Sequence, residues 1–379
     1  MTGDLRHFLP SGKSMTQRMT GSTSHMTPSC FMLAKETLYM SSSKQERKKF
    51  SMWSTSSSLR ETGRGKQLLI LLQKGFAINW PLMFCGLVML VVLLASLVGI
   101  VVDPRIITGM PAWVKPAKFA ISISVYSFTL LWFLHFIQGH KRLVSFLANS
   151  IAAALFLEML WIAGQAMRGT TSHFNNATPF DTTLWRMMGV IIGFVFLLNM
   201  VAVVLLLLQR MTEPVLAWSL RLGSLLSIVG MAVAFLMTQP TAIQMAALHA
   251  GVALSTVGAH SVGVVDGGPG LPILGWSTSG GDLRIPHFVG LHALQMLPLF
   301  GWLLGRRSFV ALSVRRRVAL VWVFALAYLG LIGLLTWQAL RAQPLLAPDA
   351  LTLQACAALL VGTVLSMVSC VFIGRSRTL

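Results

Sequence analysis

The stretch GWSTSGGDLRIPHFVGLHALQ, Gly275 to Gln295, sets an acid, a base and two imidazoles at the mouth of one apolar helix. Asp282, Arg284, His287 and His292 are types suited to proton transfer, anion binding or metal ligation. Their spacing narrows the choice. His287 and His292 are about 140° apart round a helix, so they do not share a face. They make a poor two-point metal clamp, unlike an i,i+4 pair. His173, His287 and His292 are therefore metal candidates only with ligands drawn from other segments. Gln295, three residues beyond His292, does share its face. Pro286 suits the first helical position, which puts His287 in the first turn, where the helix dipole favours a neutral ring. Asp282 and Arg284 also suit a structural task, capping the helix and anchoring the Gly-rich loop before it.

Other segments offer partners. Glu158 lies mid-way along an apolar run, and Gln165, two turns on, points the same way. An ionisable group inside a membrane span is costly and faces the bundle interior or water. Lys118 begins another run in line with Ser122 and Tyr126, and the string MRGTTSHFNNATPFDTTLWR carries Arg168, His173, Asp181 and Arg186. The substrate-binding or proton-relay set is thus Lys118, Glu158, Arg168, His173, Asp181, Arg186, Asp282, Arg284, His287, His292 and Gln295. Together they predict a hydrated polar cavity on the extracytoplasmic side, with Glu158 or His292 taking up protons. Against this stand plainer readings: Glu158 as a protonated carboxyl bonded between helices, His292 as an interhelical bridge, and His173 as a support for its own loop. His249 and His260 would fall on one face if their segment were helical. Bis-imidazole haem ligation is disfavoured, because His135 and His292 sit at different predicted depths. No P-loop, dinucleotide-binding turn or GxSxG elbow occurs at a credible position. The residues specify neither a cofactor nor a reaction.

The elements that must position these groups are apolar runs. The 379 residues are 55% hydrophobic and 11% charged, against about a quarter charged in soluble domains. From residue 79 onward, runs of about 20 residues alternate with short polar gaps, the length that crosses a ~30 Å hydrocarbon core as helix. The predicted fold is an all-α polytopic transmembrane bundle of about eight spans, near 80–102, 118–138, 144–166, 185–208, 216–238, 286–304, 318–340 and 351–373. Residues 1–65, rich in Ser, Thr, Met and Lys, read as a disordered basic arm, and 66–379 as the helical domain with a long loop at about 239–285. The segment KQLLILLQKGF reads as a short interfacial helix. TAIQMAALHAGVALSTVGA, at 241–259, is almost long enough to span. Crossing there would export GRRSF and VRRRV against the positive-inside rule, so it reads as an interfacial or re-entrant helix.

The formal charge of +19 is distributed like a topology signal. Twelve of the thirty Lys and Arg precede residue 75, and most others fall in short gaps. One set of gaps is strongly basic, with Arg306, Arg307 and Arg315 to Arg317 among its residues. The other balances Asp103, Asp181, Asp266, Asp282 and Asp349 against Arg105, Lys115, Arg168, Arg284 and Arg341. Both termini are therefore expected in the cytoplasm, and no nucleic-acid partner is expected. The four cysteines form no CxxC and read as small hydrophobes or free thiols.

The strings DPRIITGMPAWVKPAKFAIS, GQAMRGTTSHFNNATPFD and GGPGLPILGWSTSGGDLRIPHFVGLHALQ resemble a family of bacterial multi-span membrane proteins with no assigned activity, over roughly residues 78 to 305. The resemblance implies a bacterial inner-membrane, multi-pass protein and transfers no catalytic roles. The seven-span ceramidase-like hydrolases use an HxxxH spacing that this chain lacks. The leading functional expectation is a transporter or binder of a small polar or anionic solute. An outer-leaflet lipid-modifying or metal-dependent enzyme and a structural or signalling subunit are the alternatives. Membrane lipid is the partner common to all three.

Overall fold

Apolar sequence fixes the helices, and short polar caps fix where they stop. The structure, a computed structural model, describes residues 64–306, 309 and 311–372, all within the unit Ser56–Leu379. Of the arm expected at 1–65, residues 1–63 lie outside the described residues and the last two open the first helix. Ten helices are present among them: α1 (Arg64–Ile78), α2 (Trp80–Val102), α3 (Val114–Leu134), α4 (Lys141–Met167), α5 (Pro179–Leu208), α6 (Pro214–Met237), α7 (Ala242–His249), α8 (Arg284–Leu304), α9 (Val314–Leu340) and α10 (Ala350–Phe372). Eight of them, all but α1 and α7, are long and apolar enough to cross a membrane. The chain is an all-α, multi-pass membrane protein. Its outer surface agrees with a lipid solvent, since Val101 is 85% and Leu208 73% exposed on spanning helices.

Local chemistry explains the boundaries. Asn79 accepts from the Leu82 amide with Pro81 next to it, starting α2, and Thr178 accepts from the Asp181 amide, starting α5 with Pro179 at its first position. These are side-chain acceptors for orphan amides. Helix α5 therefore begins six residues before the predicted start at 185, carrying Asp181 into its first turn. Helix α3 begins four residues before the predicted 118, so Lys115 and Lys118 lie one turn apart on the helix itself. Helix α8 starts at Arg284, so Pro286 is its third residue, still inside the first turn where amides lack helical partners. Segment 241–259 does not span. Helix α7 has eight residues and a capping box between Thr241 and Gln244, a rise of about 12 Å against a ~30 Å core.

Two clusters form the interior. Helices α2, α3, α4 and α5 surround one core that includes Leu82, Met89, Leu147 and Ile151. Helices α6, α8 and α9 surround another that includes Leu297, Val321 and Ile332. Helix α10 packs against α9 and buries little. The closest pair is α6 and α8, which meet through small residues. A Cβ at Gly290 would lie 2.3 Å from the Gly230 Cα, and one at Gly223 would lie 2.8 Å from the Ala293 carbonyl oxygen. Without side chains at these points the two backbones approach closely, a common basis of helix association in lipid.

All four loops on one face join into a cap. A small hairpin, β1 (Ile106–Ile107) with β2 (Met110–Pro111), turns at Gly109. Gly109 has φ +74°, and a Cβ there would meet the Gly267 carbonyl oxygen at 2.4 Å; only glycine fits both demands. In the long loop, β3 (Ser261–Val262) pairs with β4 (Gly281–Asp282), so residues 261 and 282 stand side by side. The Asn176 amide donates to the Ser255 carbonyl and the Val257 amide to the Phe174 carbonyl, tying in the α4–α5 loop. Arg105 donates to the Met167 carbonyl, 2.8 Å away.

Candidate functional site

Beneath this cap lies a cavity of about 290 Å³, near the low end of ligand-sized pockets at about 300–1,000 Å³. The start of α3, the end of α4, the long loop and the start of α8 enclose it. Lys115, Lys118, Arg284, His260 and Asp266 contribute its charged or titratable lining, with Phe119, Ile162 and Phe288 as apolar walls. The tertiary structure thus brings together groups up to 169 residues apart, from Lys115 to Arg284.

The carboxylates here are already satisfied. Asp282, with a fully buried side chain, accepts from the Ser277 and Arg284 amides and forms a two-pronged pair with the Arg284 guanidinium at 2.5 Å. Arg284 also donates to the Gly275 carbonyl at 2.6 Å. The pair anchors the loop; the helix N-cap itself is Leu283, which makes no side-chain cap. Asp266 accepts from the His260 and Ser261 amides and from the His260 ring at 2.7 Å. Burial opposes ionisation of Asp266, but these hydrogen bonds outweigh it and hold the carboxyl below the usual carboxylate range. Burial pushes the His260 imidazole down, so a neutral ring with its Nδ1–H donated to Asp266 fits both groups.

The amino groups are less well served. Lys118 donates to the Leu274 carbonyl at 2.9 Å. Lys115 has no hydrogen bond or ion pair among the described residues, yet it lines the cavity within electrostatic reach of Lys118, Arg284, Asp266 and Glu158. Glu158, on α4 one turn before the wall residue Ile162, is 3% exposed, and its Oε1 is buried without a partner. A lysine offers three donors, so Lys115 and Glu158 hold the site's unused hydrogen-bonding capacity.

The other sequence candidates divide. Arg168, Asp181 and Gln165 form a second, closed cluster. Asp181 accepts from Gln165 at 2.8 Å, Arg168 at 2.7 Å and the Thr178 hydroxyl at 2.6 Å, and Arg168 also donates to Gln165. It ties the α4–α5 loop to α5 and does not line the cavity. His173 is boxed by Phe119, Phe174 and Trp185 beside the Ser172 hydroxyl. Burial, then Lys115 and His260 nearby, hold its ring well below its ordinary value. Its contacts hold it within the loop and against α3 and α5. His287 bonds through Nδ1 to the Gly230 carbonyl at 2.8 Å and braces α6 against α8.

Three placements correct the sequence reading. Arg186 is exposed on α5 and makes no ion pair among the described residues. His292 is exposed on α8, sharing a 3.3 Å contact with Gln295, which donates to Thr129 on α3. No hydrogen bond or ion pair joins His292 to Glu158, whose charged neighbour is Lys115. Nor do His249 and His260 share a helix face, since α7 ends at His249.

Lys115, His260 and Asp266 are cavity groups that the spacing arguments left out of the set. Lys115 is three residues before Lys118, a helical neighbour that a longer α3 would have exposed in the sequence. The His260–Asp266 pair depends on a loop fold that carries no local signal. Among the described residues, no group of three or more His, Cys, Asp or Glu is placed to hold a metal ion. No protein-family model, curated protein or solved structure matches the chain.

Proposed function

We propose that the protein binds, and carries across the membrane, a small anionic or polar solute that enters from the capped face. One observation carries the reading: a lysine amino group without a partner among the described residues lines a ligand-sized cavity, beside a second lysine held by one backbone carbonyl. A buried cation is costly unless paired, and an anionic guest would supply the pairing. The nearby carboxylates do not compete for it. Asp282 and Asp266 are engaged elsewhere, which leaves Glu158 as the acid able to exchange a proton as the guest arrives or leaves.

The balanced charge of the capping loops and the basic gaps of the opposite face favour an extracytoplasmic cap. Together with the resemblance to bacterial multi-span proteins, this favours the inner membrane as the location. The enzyme alternative draws less support, because His173, Asp181, Asp282, His287 and His292 are spread over five separate surroundings.

The test is thermal unfolding of the purified protein with phosphate, glycerol 3-phosphate and a short dicarboxylate. At least one anion raises the melting temperature of the native chain, and Lys115→Met removes that rise. An unresponsive native protein, or a rise that survives Lys115→Met, would overturn the reading.

A further inference from the structure

Helices α3 and α8 both begin at the cap and run in the same direction. Lys118 and Arg284 stand at the top of each, in the cavity wall. Eleven residues further along each helix come Thr129 and Gln295, which are hydrogen-bonded at 3.1 Å. The two helices are therefore in register, and a seam runs between them for about 16 Å at 1.5 Å per residue. That length is about half of a ~30 Å hydrocarbon core, or one leaflet.

The seam differs from an ordinary helix contact. The backbones of α3 and α8 barely approach, whereas those of α6 and α8 touch. Phe288, at the cavity, continues the α8 side, and His292 follows one turn lower with its ring exposed. On α3, Ile121 is 49% and Val125 39% exposed. Below the cavity wall the seam thus turns exposed side chains outward, apolar at Ile121 and Val125 and polar at His292, and the Gln295–Thr129 bridge crosses it at mid-depth.

We propose that the guest is a single-chain anionic amphiphile that enters sideways from the leaflet beneath the cap. Its head sits at Lys115 and Lys118, and its chain lies in the seam as far as the Gln295–Thr129 bridge. This rests on the anion-binding reading of the cavity and adds the source and shape of the ligand. Charge sets the head at the top, and the one-leaflet length of the seam matches a chain that stops at mid-bilayer. A water-soluble anion would use the cavity and leave the seam empty.

The full chain in discs of neutral phosphatidylcholine separates the two. Binding of lysophosphatidic acid is compared with binding of glycerol 3-phosphate, which carries the same phosphate ester without the chain. The native protein binds lysophosphatidic acid at least tenfold more tightly. Val125→Trp and His292→Trp each fill the seam from an exposed position, so the fold tolerates them, and either alone suffices if the other fails to fold. Each removes the tenfold preference and leaves glycerol 3-phosphate binding unchanged, while Lys118→Met weakens both ligands. Equal affinities in the native protein, or a preference that survives both tryptophans, would overturn lateral entry and leave anion binding standing. Loss of neither ligand in Lys115→Met and Lys118→Met would overturn the cavity reading itself.

Discussion

Helix α8 presents two unlike faces, and the contrast separates construction from chemistry. Toward α6 it offers Gly290, Ala293, Leu297 and Gly301, which let the backbones meet with no room for a methyl group. Toward α3 it offers Arg284, Phe288, His292 and Gln295, of which only Gln295 reaches across, through a single side-chain hydrogen bond. The first face is filled and satisfied. The second leaves space, exposed polar groups and, at its upper end, unpaired amino-group capacity. Where every donor and acceptor has a partner, as in the Arg168–Asp181–Gln165 cluster, the polar residues hold helices and loops in place. Lys115 and the Glu158 Oε1 have no such partner among the described residues, and it is there that the proposed guest is placed.

The contrast breaks most sharply at the filled face. Gly290→Val drives a side chain into the Gly230 backbone, which cannot move aside as a flexible side chain would. The expected loss is about 3 kcal/mol, read as a large fall in melting temperature and folded yield. Gly333→Ala on α9 is the control, since nothing lies within 4 Å of a Cβ there. It should be neutral or stabilise by up to about 1 kcal/mol through helix propensity. Equal losses at both positions would mean that α6 and α8 are not held by close backbone approach.

Next in size is the anchor where the two faces meet at the cap. Asp282→Ala leaves the Arg284 guanidinium and the Ser277 amide without their acceptor. Removing one partner of a buried pair costs about 3–5 kcal/mol, and the partial exposure of Arg284 puts the expectation at the lower end. Faster proteolysis within 262–280 would report release of the loop. Unchanged cleavage would show that the β3–β4 pairing alone holds it.

Acid should loosen the cap before the helices. The folded pKa values of His173 and His260 lie below the ordinary 6.5. Between that value and the lower folded ones, the unfolded chain binds protons that the fold excludes, so stability falls as pH drops. Asp266 adds a second loss at lower pH. Its carboxyl contributes fully above the ordinary 3.8, and that contribution disappears as pH falls through the depressed folded value. Melting temperature should drop by a few degrees from about pH 7.5 to about pH 5.5. A flat profile over that range would show that the rings ionise freely in the fold.

The smallest effect is expected at His292→Ala. An exposed ring with one long contact contributes within about 0.5 kcal/mol. A loss several times larger would make His292 a clamp between α3 and α8 and close the seam to any ligand.

The lesson of the faces extends to what the residues alone reveal. Apolar run length determines the eight spans, because lipid forces backbone bonds within each helix, and the placement of Lys and Arg sets 241–259 apart from them. Helical spacing also ties His292 to Gln295, and residue types mark Asp282 and Arg284 as groups able to anchor the loop. The tertiary structure alone decides which polar groups are used up. Arg168 and Asp181 close on each other, His287 turns to the Gly230 carbonyl, Arg186 points away, and Lys115 is left beside Glu158 without a bond. Those outcomes depend on how the long loop folds back on itself through β3 and β4 and on how closely α6 and α8 approach. Both are balances among contacts distant in the chain, and no local periodicity encodes them.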